Sequence, residues 1–177
     1  MKNPSRVAAL NLGMQTAMMA VFESSSDGGI TLAGFAQAAL VPDPAADASR
    51  PGQLKVTFGE MATKLGWKGG PSACAIPSQG VFCRFVQIPM VEPAAIAQVL
   101  FYEAQQNVPY PIEEVAWAYQ VLPDREEGKF GALIIATKTE ALEATVEALR
   151  AAKLIPDFIE TSPTALYNAF RYNYPDA

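Results

Sequence analysis

Residues 101–122, FYEAQQNVPYPIEEVAWAYQVL, constrain the fold more than any other stretch of the chain. Ala104, Gln105 and Gln106 favour helix, but Val108 precedes Pro109 and Tyr110 precedes Pro111, and the clash with each following ring pushes both residues into extended geometry. The helix must stop near Asn107. Beyond Glu113 and Glu114 the large residues Val115, Trp117, Tyr119 and Val121 alternate with Ala116, Ala118, Gln120 and Leu122, which is the period of a strand. One unbroken run thus holds a helix end, a double-proline corner and an aromatic strand.

The flanking sequence predicts the other elements. Residues 7–12, 17–23 and 30–40 read as three strands in a meander, and residues 41–52, VPDPAADASRPG, as an exposed linker into a helix over 53–65 that Gly66 ends. Strands follow at 72–77 and 81–88, and Glu92-Pro93 opens the next helix, with Ile96, Val99, Leu100 and Glu103 along one side. After the aromatic strand, a turn over 123–129 leads into 130–137, where the run Leu133, Ile134, Ile135 predicts burial on both faces. Residues 140–152 form an amphipathic helix on Leu142, Val146 and Leu149, a strand covers 154–160, and Ser162 is placed to cap a last helix that has Pro163 at its first position.

Composition narrows the chemistry. The 177 residues contain no histidine, which excludes Ser-His-Asp, Cys-His and His-based zinc sites. Cys74 and Cys83 lie in two apolar strands, so both are expected to be buried free thiols, and no metal site is expected. A net charge of −5 without blocks of like charge gives no reason to expect nucleic acid, and Lys64, Lys68 and Arg84 read as solvated surface. The residues over 6–23 are interrupted by Asn11, Gly13, Gln15 and Thr16, unlike a signal peptide, and no run is long enough to cross a membrane, so no direct membrane insertion is expected. The adjacent pairs Glu113-Glu114 and Glu126-Glu127 point their side chains apart and read as solvated loops, and no catalytic residue is assigned. Glu103 is expected to hydrogen-bond backbone amides of the proline corner.

The order of the corner, Glu103-Ala104, then Val108-Pro109-Tyr110-Pro111-Ile112-Glu113-Glu114-Val115, then Gln120-Val121-Leu122, resembles the corresponding segment of the PilM family, the actin-like cytoplasmic proteins of type IV pilus machines. The likeness extends more weakly over most of the chain and is to the N-terminal half of that family. It implies an α/β (α+β) fold: half of an actin or ribonuclease-H-like domain over 1–80 plus 138–177, with an inserted strand-helix-strand-strand subdomain over 81–137, as in PilM and its relative FtsA. Spacing alone also allows an independent ferredoxin-like βαββαβ domain over 81–160, with a regulatory role, after a small meander.

The resemblance also implies where a nucleotide would sit. Actin-like ATPases use an Asp-x-Gly-Ser/Thr turn whose backbone amides cradle phosphate and whose aspartate orients magnesium-bound water. Here the corresponding residues are Asn11, Gly13, Gln15 and Thr16, with Met14 in place of the hydroxyl residue and Met18 in place of a lysine. This is a degenerate phosphate loop, so no cofactor is expected in this chain, and ATP and magnesium only in a longer form acting as a nucleotide switch. In that family the N-terminal peptide of the inner-membrane protein PilN binds in the cleft between the actin-like subdomain and its insert. The resemblance therefore implies a non-catalytic scaffold, cytoplasmic and held at the inner membrane by partners, that contacts PilN and other pilus platform proteins, with self-association left open. Tyr102, Gln105, Tyr110 and Tyr119 are the candidate partner-binding residues, because amphipathic tips tolerate a groove edge, whereas Phe101 and Trp117 are expected to pack in the core.

Overall fold

A computed structural model describes residues 6–25, 29–40, 50–126 and 128–175. The chain divides into two compact units, Met1–Ser78 with Glu143–Ala177, and Gln79–Leu142.

The first unit holds strands β1 (Arg6–Leu12), β2 (Thr16–Ser24), β3 (Ile30–Ala39), β4 (Pro71–Ile76) and β8 (Ile155–Thr161). They form one five-stranded sheet in the order β3-β2-β1-β4-β8. The meander β1-β2-β3 is antiparallel, whereas β4 and β8 run parallel to β1 because helices carry the chain back before each. Those helices are α1 (Arg50–Lys64) and α3 (Thr139–Ala151). Their Leu54, Phe58, Met61, Ala62, Ala148 and Leu149 pack with Ala8, Leu10, Leu12, Ala17, Met19, Val21 and Cys74 from one face of the sheet. Each large side chain fully removed from water there contributes about 1.5–3 kcal/mol.

The expected linker over 41–52 is shorter than its composition suggested: 41–49 lie outside the described residues, and α1 already begins at Arg50, since Pro51 suits a first helical turn. The two core helices end alike. At α1, Gly66 N–H donates to Thr63 and Trp67 N–H to Ala62, with Gly66 at φ 60°. At α3, Lys153 N–H donates to Arg150 and Leu154 N–H to Leu149, with Lys153 at φ 59°. Both are Schellman caps, whose left-handed position glycine fills without strain and lysine does not. The Trp67 indole Nε1–H joins them by donating to the Lys153 carbonyl at 3.4 Å.

Helix α4 (Ser162–Asn173) is capped by Thr161, not by Ser162 as the sequence suggested. Thr164 N–H donates to Thr161 Oγ1 (3.4 Å), and Thr161 N–H donates to Thr164 Oγ1 (3.1 Å), forming a reciprocal capping box.

The second unit is a three-stranded antiparallel sheet, order β5-β7-β6, from β5 (Val81–Pro89), β6 (Val115–Glu126) and β7 (Lys129–Lys138). Helix α2 (Pro93–Asn107) covers one face, Leu100 and Ala104 packing on Val86, Ile88, Val115, Ala132, Ile134 and Ala136. The expectation that Leu133, Ile134 and Ile135 are buried on both faces fails: only Ile134 points to α2, and its neighbours on the opposite face are half-exposed.

Replacing the strained cap residue tests the cap assignment. Lys153→Gly is expected to raise stability by about 0.5–1 kcal/mol in urea unfolding, since glycine removes the cost of φ > 0; an unchanged or lowered midpoint would contradict it.

Candidate functional site

The second unit gathers its candidate residues at the corner between α2 and β6. Val108 N–H closes the last turn of α2 on the Ala104 carbonyl (2.8 Å), then takes φ −71° and ψ 128°, the extended geometry that Pro109 imposes. Pro111 is likewise extended, and a single 3-10 turn over Ile112–Glu114 delivers the chain into β6, Val115 N–H donating to the Ile112 carbonyl.

This geometry sets aromatic rings from helix and strand against each other. Tyr102 and Phe101 meet edge-on at 6.0 Å between centroids, Phe101 and Trp117 at 6.1 Å, and Trp117 and Tyr119 at 6.1 Å. The four rings form a continuous ladder, with separations in the favourable range for aromatic pairs. Phe101 was expected in the core, but at 36% exposure it stands at the surface as the link between Tyr102 (53%) and Trp117, which is half-buried. The reason is helical phase: Leu100 and Ala104 take the face on the sheet, which leaves Phe101, Tyr102 and Gln105 on an exposed stripe. Gln98 Nε2 donates to the Tyr102 hydroxyl at 3.4 Å, continuing that stripe.

Tyr110 lies apart from the ladder and pairs with a residue that local sequence did not single out, Lys138, whose Nζ sits 4.8 Å from the ring centroid. The signal for Lys138 is strand register, since it faces Val115 across β6 and β7, and a single sequence does not display register. Glu103 bonds neither proline-corner amide as expected; its Oε2 and its carbonyl accept from Asn107 Nδ2 at 3.1 and 2.8 Å. The corner is held by proline geometry and the helix's own last turn.

In the first unit, Asn11, Gly13, Gln15 and Thr16 meet at the β1–β2 turn. Gly13 N–H donates to the Thr16 carbonyl at 2.8 Å, and the Gln15 carbonyl accepts from Leu40 N–H at 2.7 Å. Arg50, at the start of α1, donates from Nη2 to the Gly13 carbonyl (2.9 Å) and from Nη1 to the Met14 carbonyl (3.2 Å). Phosphate binding needs convergent N–H groups. This turn spends the Gly13 amide internally and aims two carbonyls at a guanidinium. Asn11 Oδ1 accepts from the Ser162 hydroxyl (3.2 Å), which also reaches the Ile76 carbonyl at 3.0 Å, so the amide that stands where the resemblance expects an aspartate anchors the start of α4. Arg50 escaped notice because it sits in a stretch whose prolines, aspartates and small residues read as linker.

The two cysteines differ, contrary to the expectation that both are buried. Cys74 is buried, and desolvation pushes its thiol from 9.0 up to about 12, which keeps it protonated and inert. Cys83 is exposed, because it lies on the face of β5 opposite α2. Among the described residues there is no group of three or more acidic or cysteine side chains able to hold a metal ion. The side chains of Glu126 and Glu127 lie outside the described residues.

The family model of the type IV pilus assembly protein PilM matches residues 11–175. The chain belongs to the PilM family. Among solved structures it is similar to the "PilM-PilN type IV pilus biogenesis complex", with a TM-score of 0.80 and 21% identity over 94% of this chain and 50% of that one. It is also similar to the cytoplasmic domain of EpsL, an inner-membrane component of the type II secretion system of Vibrio cholerae (TM-score 0.56, 12% identity, 88% of this chain and 57% of that one). A third likeness is to a Bacteroides thetaiotaomicron protein with an actin-like ATPase fold and unknown function (TM-score 0.51, 17% identity, 97% and 58%). At these identities the structures establish an actin-like fold, and this PilM-family chain spans about half the length of the PilM it resembles. No curated protein matches it significantly.

The turn's glycine has a steric reason independent of phosphate. A Cβ on Gly13 would lie 2.7 Å from the Thr16 carbonyl oxygen. Gly13→Ala is therefore expected to cost about 1–3 kcal/mol, the usual scale for overpacking, in urea unfolding; a variant as stable as the parent would show that the turn relaxes freely.

Proposed function

We propose that this PilM-family chain acts as a non-catalytic scaffold of a type IV pilus or related secretion platform, cytoplasmic and recruited to the inner membrane by a PilN-type protein whose N-terminal peptide docks at the aromatic corner. The observation that carries this reading is the ladder Tyr102–Phe101–Trp117–Tyr119 beside β6, which among the described residues is an edge strand paired with β7. Exposed rings backed by a rigid helix-to-strand corner supply apolar contact at little conformational cost, and tyrosine and tryptophan dominate binding hot spots. An edge strand supplies main-chain donors and acceptors for an extended peptide. The PilM–PilN complex among the similar structures supports the choice of partner. No described helix is long and apolar enough to cross a membrane, which is consistent with attachment through a partner.

Titration of the chain with a synthetic N-terminal peptide of a PilN-type protein from the same source should give saturable binding by fluorescence of Trp117. Tyr102→Ala and Tyr119→Ala should each weaken it by about 1–2 kcal/mol, the scale of a hot-spot ring, while Glu147→Ala, in the other unit, leaves it unchanged. Absence of saturable binding would sink the proposal.

The scaffold reading also expects calorimetric titration with ATP and magnesium to be silent, because the Gly13 amide and the neighbouring carbonyls are already engaged. Submillimolar binding abolished by Arg50→Ala would instead favour a nucleotide switch.

A further inference from the structure

The start of α1 lacks the usual supports of a helix end. None of residues 50–53 is buried, and the core-facing positions of α1 begin at Leu54, followed by Phe58, Met61 and Ala62. Burial therefore anchors the helix only beyond its first turn. Within that turn Gly52 is the poorest helix former after proline, and a Cβ there would meet nothing within 4 Å, so packing does not demand a glycine. The first turn also holds no acidic residue and opens on an arginine. A cation at the positive end of the helix dipole lowers the helix population by about a factor of two to five. Left to itself, this turn would fray.

Arg50 is what holds it. Its Nη2 donates to the Gly13 carbonyl at 2.9 Å and its Nη1 to the Met14 carbonyl at 3.2 Å, so one guanidinium spans the carbonyls of two successive residues. The planar fork of arginine can make both bonds at once, and bonds from an ionised donor are the strong kind. The two carbonyls are in turn placed by the hydrogen bonds of the β1–β2 turn, Gly13 N–H to the Thr16 carbonyl and Leu40 N–H to the Gln15 carbonyl. The charge that is misplaced for the helix is thus well placed for the turn.

We infer that Arg50 is a latch, through which the β1–β2 turn and the first turn of α1 close and open together as one two-state unit on an intact core. Opening exposes no buried side chain of α1, so it costs far less than global unfolding and belongs to the low-stability openings of a native protein. Coupling of this kind is reciprocal: whatever shifts the turn loosens residues 50–53, and whatever loosens those residues frees the turn. The latch carries such a change across 37 residues of chain. It ends beside Lys55 and Val56, on the exposed side of α1 away from the sheet.

Native-state amide hydrogen exchange of the 177-residue chain tests the latch. The N–H groups of Leu54, Lys55, Val56 and Thr57 close the first turn of α1 on the carbonyls of residues 50–53, so their protection reports that turn. The amides of residue 13 and Leu40 report the β1–β2 turn. Arg50→Gln should lower protection in both groups at least about 10-fold, the weight of a hydrogen bond to a charged group, with a smaller change at Met61 and Leu149. The sign is diagnostic, because a first turn governed by the helix dipole alone would gain protection once the charge is gone. Gly13→Ala, whose Cβ would press on the Thr16 carbonyl, should lower protection at residues 54–57 in the parent and add nothing in the Arg50→Gln background. Protection at residues 54–57 that is unchanged or raised in Arg50→Gln overturns the inference, as does a loss there that leaves residue 13 and Leu40 untouched or is shared equally by Met61 and Leu149. A Gly13→Ala effect that is absent, or equal in both backgrounds, overturns it too.

Discussion

The first unit depends on burial of one sheet face against α1 and α3. Phe58, Leu54, Leu149 and Leu154 are excluded from water there, together with alternate residues of β1 and β2. The parallel placement of β4 and β8 follows from it, because each helix must return over the same face to cover it. The two Schellman caps end these helices, and the Trp67 indole ties one cap to the other. On the other face Ala9, Ala20 and Ala73 are half-buried and Phe35 and Phe158 exposed.

In the second unit the governing constraint is local. Two X-Pro steps force the chain out of α2 and into β6 within a few residues, and tertiary packing then has little freedom in where the rings go. Helical phase turns Leu100 and Ala104 inward and Phe101 and Tyr102 outward, while strand period brings Trp117 and Tyr119 to the helix side. The aromatic ladder is thus the product of two periodicities meeting at a fixed corner. The β1–β2 turn shows the opposite case, in which a glycine turn that resembles a phosphate loop is filled by its own hydrogen bonds and by Arg50.

Much of this was legible in the sequence. The end of α2 at Asn107, the meander, both core helices and the hairpin from β6 to β7 follow from proline placement and from periods of 3.6 and 2. The misses share a physical origin. Cys83, Leu133 and Ile135 lie in apolar strands, and an apolar run does not say whether both of its faces are covered. Ser162 and Thr161 are equally good caps by residue type, and the choice fell to Thr161 because the Ser162 hydroxyl reaches Ile76 and Asn11 instead.

By itself the sequence determined the elements, their order, the proline corner and the absence of histidine chemistry, because these rest on backbone sterics and residue inventory. The tertiary structure alone decided which face of each sheet the described helices cover, that Lys138 stands over Tyr110, and that Arg50 closes the turn. Those outcomes depend on register between strands far apart in the chain. Side-chain period fixes which residues share a face, but only the assembled sheet and its helices fix which face meets water.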